Sequence, residues 1–221
     1  MRSDAPEKDR TRMIQVRSDA ISAQGTIVLA SASPRRSELM GLAGIPCTVV
    51  PADICEDVLP GEQPAEHVER LSREKAQAVA GKVPGRFFIG SDTVVVLENR
   101  IMGKPGDESH AYEMLASLSG RTHEVITGIA VHDIATGTCI SQSITTEVRF
   151  KDLSEREIQA YIATGCPMDK AGAYAIQWGA VHFIRAISGS YTNVIGLPMT
   201  ELYELLQSMG ALPDGGQNVD C

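Results

Sequence analysis

The sequence predicts an α/β domain built on a mixed sheet, and three observations carry that reading. Apolar strand-like runs alternate with segments of helical period from about residue 26 to residue 209. Two β-rich runs over 125–132 and 138–150 meet at Ala135-Thr136-Gly137 with no helix between them, which reads as an antiparallel hairpin and makes the sheet mixed. A chain of 221 residues, 43% of them hydrophobic, has ample material for a core.

Taken in order, the strands are expected over 26–30, 47–50, 86–90, 94–97, 125–132, 138–150 and 181–188. The first helix is expected over 34–43, with Ser33 as N-cap, Pro34 at the first helical position and Gly44 as the stop. A second, over 65–80, carries Val68, Leu71 and Val79 on one stripe. The third, over 108–119, turns Ala111, Met114, Leu115 and Leu118 inward before Gly120. Ser154 and Glu157 form a capping box for the fourth, over 155–163, which Gly165 closes. The last, over 198–209, repeats the apolar spacing at Leu202, Leu205, Leu206 and Met209. Residues 1–24 are polar, lack the apolar segment of a secretory signal and read as a flexible extension; 25–210 form the domain and 211–221 a polar tail.

Composition excludes several function classes. No apolar run approaches the ~20 residues that span a bilayer, and a net charge of −8 argues against nucleic acid as the main partner. Five scattered cysteines without C-x-x-C spacing read as reduced thiols of a cytoplasmic protein, with no disulfide frame and no zinc site. Walker A, G-x-G-x-x-G, H-E-x-x-H and G-x-S-x-G patterns are all missing from the sequence, and the five histidines lack ligand spacing.

The chemistry concentrates in a few segments. In Ser31-Ala32-Ser33-Pro34-Arg35-Arg36 two arginines occupy the first turn of a helix, where the free N–H groups already carry partial positive charge. An anion such as a phosphate chain removes that conflict; the alternative is a capped helix with solvated arginines. Asp92 interrupts an apolar run with Gly90-Ser91-Asp92-Thr93, either as a strand-end carboxylate that holds a divalent metal or deprotonates water, or as part of a hairpin turn. Lys75 lies on the inward stripe of its helix, where it either meets an anion in a cleft or snorkels out. Lys104 projects from the Gly103-Lys104-Pro105 turn as a phosphate contact or an ordinary loop lysine. Glu56 belongs to a small acidic loop and gains interest as a second metal carboxylate beside Asp92. The segment 165–180, with Asp169, Lys170, Tyr174 and Gln177, offers a pocket wall able to read a base through an amide, or a structural loop in which Trp178 packs.

Together, Leu29-Ala30-Ser31-Ala32-Ser33-Pro34-Arg35-Arg36, Arg73-Glu74-Lys75-Ala76, Ser91-Asp92-Thr93, Gly103-Lys104-Pro105, Leu118-Ser119-Gly120-Arg121-Thr122-His123, Asp169-Lys170-Ala171-Gly172-Ala173-Tyr174 and Gly196-Leu197-Pro198 resemble the Maf family, in order along most of the chain. The resemblance implies an ITPase-like (Ham1-like) fold with two lobes around a cleft, nucleoside triphosphate pyrophosphatase activity, and homodimerisation. It implies that Asp92 is the proton acceptor, that Glu56 and Asp92 lie near a Mg²⁺ or Mn²⁺ ion, and that Ser31, Ser33, Arg36, Lys75 and Lys104 contact the triphosphate. It also implies that Arg35, Thr93 and Gln177 set substrate choice and look like the subfamily acting on dTTP and UTP. The chain departs from the family's Gly-Ile-Gln-Gly at Ala175 and Trp178, and Ser91 stands where alanine is common. Pyrophosphatase action on 7-methyl-GTP, a non-catalytic nucleotide-binding regulator of cell division, and a nucleic-acid module using the arginine helix are the competing readings.

Overall fold

A computed structural model describes residues 26–177 and 179–213. The expected N-terminal extension, Trp178 and the end of the polar tail lie outside the described residues. The expected alternation is present: β1 (Ile27–Ala30), α1 (Pro34–Leu42), β2 (Thr48–Val49), α2 (Pro64–Val79), β3 (Phe87–Leu97), β4 (Arg100–Met102), α3 (Glu108–Leu118), β5 (Thr122–Asp133), β6 (Thr138–Phe150), α4 (Glu155–Ile162), β7 (Ile184–Ser188), α5 (Tyr191–Ile195) and α6 (Met199–Ser208). The strands form one mixed seven-stranded sheet, ordered β2-β1-β3-β5-β6-β7, with β4 on the far part of β3. β1 runs parallel to β2 and β3, whereas β3, β5, β6 and β7 are successive antiparallel neighbours.

One expectation is corrected. The two strands expected at 86–90 and 94–97 are a single eleven-residue strand, so Gly90-Ser91-Asp92-Thr93 is not a turn and Asp92 is not at a strand end. Pairing with β5 continues through this stretch, from Phe87↔Asp133 to Val96↔Glu124, and the ladder overrides the local turn preference of Gly-Ser-Asp-Thr. The short β4 and α5 were not anticipated, and residues 181–183 form a 3₁₀ turn ahead of β7.

The sheet is covered on both faces. α1 and α6 pack Leu39, Met40, Leu202, Leu205 and Leu206 against Ile27, Leu29, Phe87, Ile89, Ile129 and Val131. Ala211 and Leu212 join that cluster, so packing continues past the boundary expected at 210. Farther along β3 and β5, α3 and α4 bury Leu115, Leu118, Ile158 and Tyr161 against Val95, Val125, Val148 and Phe150. The opposite face carries α2, whose Val68, Ala76 and Val79 meet Val28, Phe88, Val94 and Ile126. Among the described residues no helix is long and apolar enough to cross a membrane, and Cys47, Cys55, Cys139 and Cys166 are free thiols.

Candidate active site

The site follows from a gap in the sheet edge. β1 pairs with β3 only through Ile27↔Phe87 to Ala30↔Gly90, and β4 takes up the same edge only from Val95 onward. Among the described residues, Ser91 to Val94 therefore lacks a strand partner on that side. Successive strand residues point to opposite faces, so Asp92 and Thr93 face opposite ways, yet both border the opening. A cleft of about 770 Å³ lies here, within the size range of small-molecule sites.

On the Asp92 face, α2 is seated directly on the sheet. A Cβ on Gly90 would stand 1.9 Å from the Ser72 carbonyl oxygen, and one on Gly128 would stand 2.1 Å from that of Val68. Two strand glycines thus let the helix backbone ride on β3 and β5. That close seat brings Lys75 to the cleft. Its ammonium lies 2.6 Å from Asp92 Oδ1 and 2.6 Å from Glu56 Oε1, with the lysine side chain 9% exposed. Lys75 does not snorkel. Glu56 belongs to the irregular segment 50–63, and its carboxylate reaches Lys75 from across the opening. Two carboxylates thereby converge on one cation.

On the other face, Arg36 closes the gap. Its Nε donates to Gly196 O (2.7 Å), one terminal nitrogen to Ser91 O (2.8 Å) and Ser31 Oγ (3.3 Å), and the other to Thr93 Oγ1 (3.0 Å). The donors expected for a triphosphate thus hold the unpaired edge of β3. Thr93 Oγ1 also lies 3.0 Å from Thr127 Oγ1, which donates to Asn193 O. Thr127 has only one proton, so hydrogen bonds run from Arg36 through Thr93 and Thr127 to the backbone of α5. Burial pushes the Arg36 guanidinium below its ordinary pKa, while Asp92 and Glu56 oppose that shift. Ser91 Oγ adds a bond to Gly196 O (3.2 Å) that an alanine lacks.

Ser33 is the N-cap of α1, but its hydroxyl makes no capping bond; Ser31 Oγ instead accepts from the Ser33 amide. Ser33, Arg35, Lys104 and Gln177 all line the cleft, whereas buried Ser31 stands behind it. The Lys104 turn is tied to the opposite wall by a bond from Gly172 N to Gly103 O. On that wall, Gln177 Oε1 is buried and has no hydrogen-bond partner among the described residues. His123, one of the five histidines without ligand spacing, is a buried pin: its Nε2 lies 2.7 Å from Tyr174 Oη, at the wall that carries Gln177. Burial pulls its pKa down to about 4, so the ring is neutral, and pushes the Tyr174 hydroxyl well above its usual range.

Sequence reasoning missed the cluster of Glu62, His67 and Arg70 at the start of α2. The available signal was a Gln63/Glu66 capping box beside an Arg70–Glu74 pair one turn apart. No group of three or more His, Cys, Asp or Glu among the described residues could hold a metal on its own.

A family model described as Maf-like protein matches residues 26–209. The chain belongs to the Maf family. A relative from Geobacter sp. strain M21, named dTTP/UTP pyrophosphatase, is 56% identical over 187 residues, covering 85% of this chain and 97% of its own length. A Geobacter sulfurreducens protein of the same name is 54% identical over 189 residues, covering 86% and 99%. At greater distance, a Syntrophus aciditrophicus protein, again so named, is 45% identical over 194 residues, covering 88% and 95%. The gapped sheet edge, the Lys75 bridge and the Gln177 wall all fall inside the matched Maf region.

Proposed function

We propose that this Maf-family chain is a nucleoside triphosphate pyrophosphatase that hydrolyses dTTP and UTP to the nucleoside monophosphate and pyrophosphate. The relatives' shared name supports the reaction. The observation that carries the substrate choice is the unpartnered, buried Gln177 Oε1. Uracil and thymine present an N3–H flanked by carbonyls, so one amide can accept from the N3–H and donate to a neighbouring oxygen. Cytosine has no proton on N3, so in the same pose Oε1 meets the N3 lone pair, and pairing requires the amide to shift onto the N4 amino group. Guanine offers a similar N–H and C=O pair, so its rejection falls on the size of the pocket.

In this reading Lys104, Arg35 and the open start of α1 at Ser33 take the triphosphate. Arg36 and Ser31 hold the cradle from behind, and Thr93 limits the base pocket through its methyl group, its hydroxyl being spent on Thr127. Glu56 and Asp92 suit Mg²⁺ or Mn²⁺, since such ions are held by one or two carboxylates together with substrate phosphates. When bound, that ion neutralises charge on the phosphates. With Oδ1 held by Lys75, Asp92 uses Oδ2 to take a proton from the attacking water. The water oxygen bonds to the α-phosphorus, the α–β bridging P–O bond breaks, and pyrophosphate leaves with its electron pair. The free thiols suit a cytoplasmic setting.

A panel of nucleoside triphosphates assayed with Mg²⁺ and with Mn²⁺ tests the proposal. dTTP and UTP should exceed CTP, ATP and GTP in kcat/KM by about tenfold or more, which corresponds to ~1.4 kcal/mol in the barrier. Gln177→Ala should flatten that ranking while hydrolysis persists. A panel led by 7-methyl-GTP or by purines overturns the substrate assignment.

A further inference from the structure

Asp92 and Lys75 stand on a strand and a helix, but Glu56 stands on a segment with neither. A carboxylate on an irregular segment, with its side chain 49% exposed, needs an anchor to meet a partner at 2.6 Å. That anchor is Arg70, on the same helix as Lys75. Its guanidinium forks onto Glu62, with Nε 2.6 Å from Oε1 and a terminal nitrogen 2.9 Å from Oε2. The same terminal nitrogen donates to the Asp57 carbonyl at 3.0 Å, one residue beyond Glu56. Glu62 Oε2 in turn accepts from the Leu59 amide (3.0 Å) and from His67 Nδ1 (2.9 Å). Glu74 flanks the remaining guanidinium nitrogen at 3.2 Å. The Asp57 carbonyl, the Leu59 amide and the Glu62 side chain are therefore all tied to one guanidinium.

We infer that Arg70, through Glu62, is a positioning residue that sets Glu56 against Lys75 and Asp92 and so builds the cation-binding half of the site. The inference rests on the reading of Glu56 and Asp92 as metal carboxylates. It is a matter of shape more than charge. A lysine at position 70 keeps the cation but cannot fork onto Glu62 while donating to the Asp57 carbonyl. A lysine there should thus fail nearly as badly as an uncharged side chain.

The test uses the full chain and Mn²⁺ alone, without substrate, followed by titration calorimetry. Arg70→Lys should weaken Mn²⁺ binding about tenfold or more, the usual loss when a residue orienting a metal ligand is changed. Glu56→Gln should weaken it comparably, and the double variant should be no weaker than Glu56→Gln alone, because both remove the same placed carboxylate. Amide hydrogen exchange over 53–60 should rise in folded Arg70→Lys and stay at the wild-type level in Glu56→Gln. Unchanged exchange in Arg70→Lys overturns the inference, and so do losses that multiply in the double variant. Glu56→Gln binding Mn²⁺ like the wild type removes the metal role of Glu56, while the exchange measurement still decides whether Arg70 holds the segment. If Arg70→Lys melts early yet binds Mn²⁺ normally below its transition, Arg70 supports only the fold.

Discussion

Asp92 is 8% exposed, and Lys75 holds one of its oxygens, leaving the other for the base role proposed above. Asp92→Asn preserves the shape and a hydrogen-bonding group but removes the base. Its kcat/KM on dTTP should fall ~10²–10⁴-fold in a protein that still folds but melts earlier, because Lys75 keeps only Glu56 as a carboxylate partner; steady-state kinetics beside thermal denaturation check both halves. His123 gives a second residue-scale expectation. Folding lowers its pKa from 6.5 to about 4, so the unfolded chain binds the proton first. The stability it contributes is complete above about pH 6.5 and falls as pH drops toward 4; below that it is flat, a total loss of about 3 kcal/mol. Urea midpoints at pH 7 and pH 5 should differ accordingly. His123→Phe should remove most of that difference, and a wild-type midpoint that does not move would show that the ring titrates normally.

The decisive element is α2. It supplies Lys75 to the cleft and Arg70 to the segment bearing Glu56, and it rests on Gly90 and Gly128 without intervening side chains. Gly90→Ala would set a Cβ 1.9 Å from a backbone oxygen, so the helix must lift. The expected cost is ~1–3 kcal/mol in stability. Activity should fall too, since Lys75 moves away from Asp92. Gly41→Ala in α1 meets nothing within 4 Å and serves as the control that should leave both intact. Denaturant midpoints and kcat/KM for the pair distinguish a seat from a tolerant glycine.

For the whole molecule, net charge and local charge point in opposite directions. The chain carries −8, yet Arg35, Arg36, Lys75, Lys104 and Lys170 line one cleft beside Glu38, Glu56, Asp92 and Asp169, a local balance slightly to the positive side. For the triphosphate proposed above, that local excess works against the long-range repulsion, and salt screens both. Lys104 is exposed at the rim. Lys104→Ala should raise KM for dTTP by up to about tenfold and reduce its dependence on ionic strength, with kcat less affected. Initial rates across a salt series measure this, and a KM equal to wild type at every salt concentration would make Lys104 an ordinary loop lysine.

What the sequence determined by itself was local or compositional. The period of α3 and α6, the Ser154–Glu157 cap and the 135–137 hairpin are properties of neighbouring residues, and they emerge where expected. Six of the seven motif segments place at least one residue on one cleft, and 118–123 does not line it. Tertiary structure decided the rest. Gly90-Ser91-Asp92-Thr93 has the composition of a turn, but ten paired positions on β5 keep it extended. Whether Lys75 snorkels or bridges depends on a helix seat made by glycines distant in sequence. Arg36, Thr93 and Thr127 became one chain of hydrogen bonds only because the sheet edge left Ser91–Val94 unpaired. Periodicity encodes which face of an element is buried. It cannot encode which groups meet across that face, because such contacts depend on strand register and on helix-to-sheet distance.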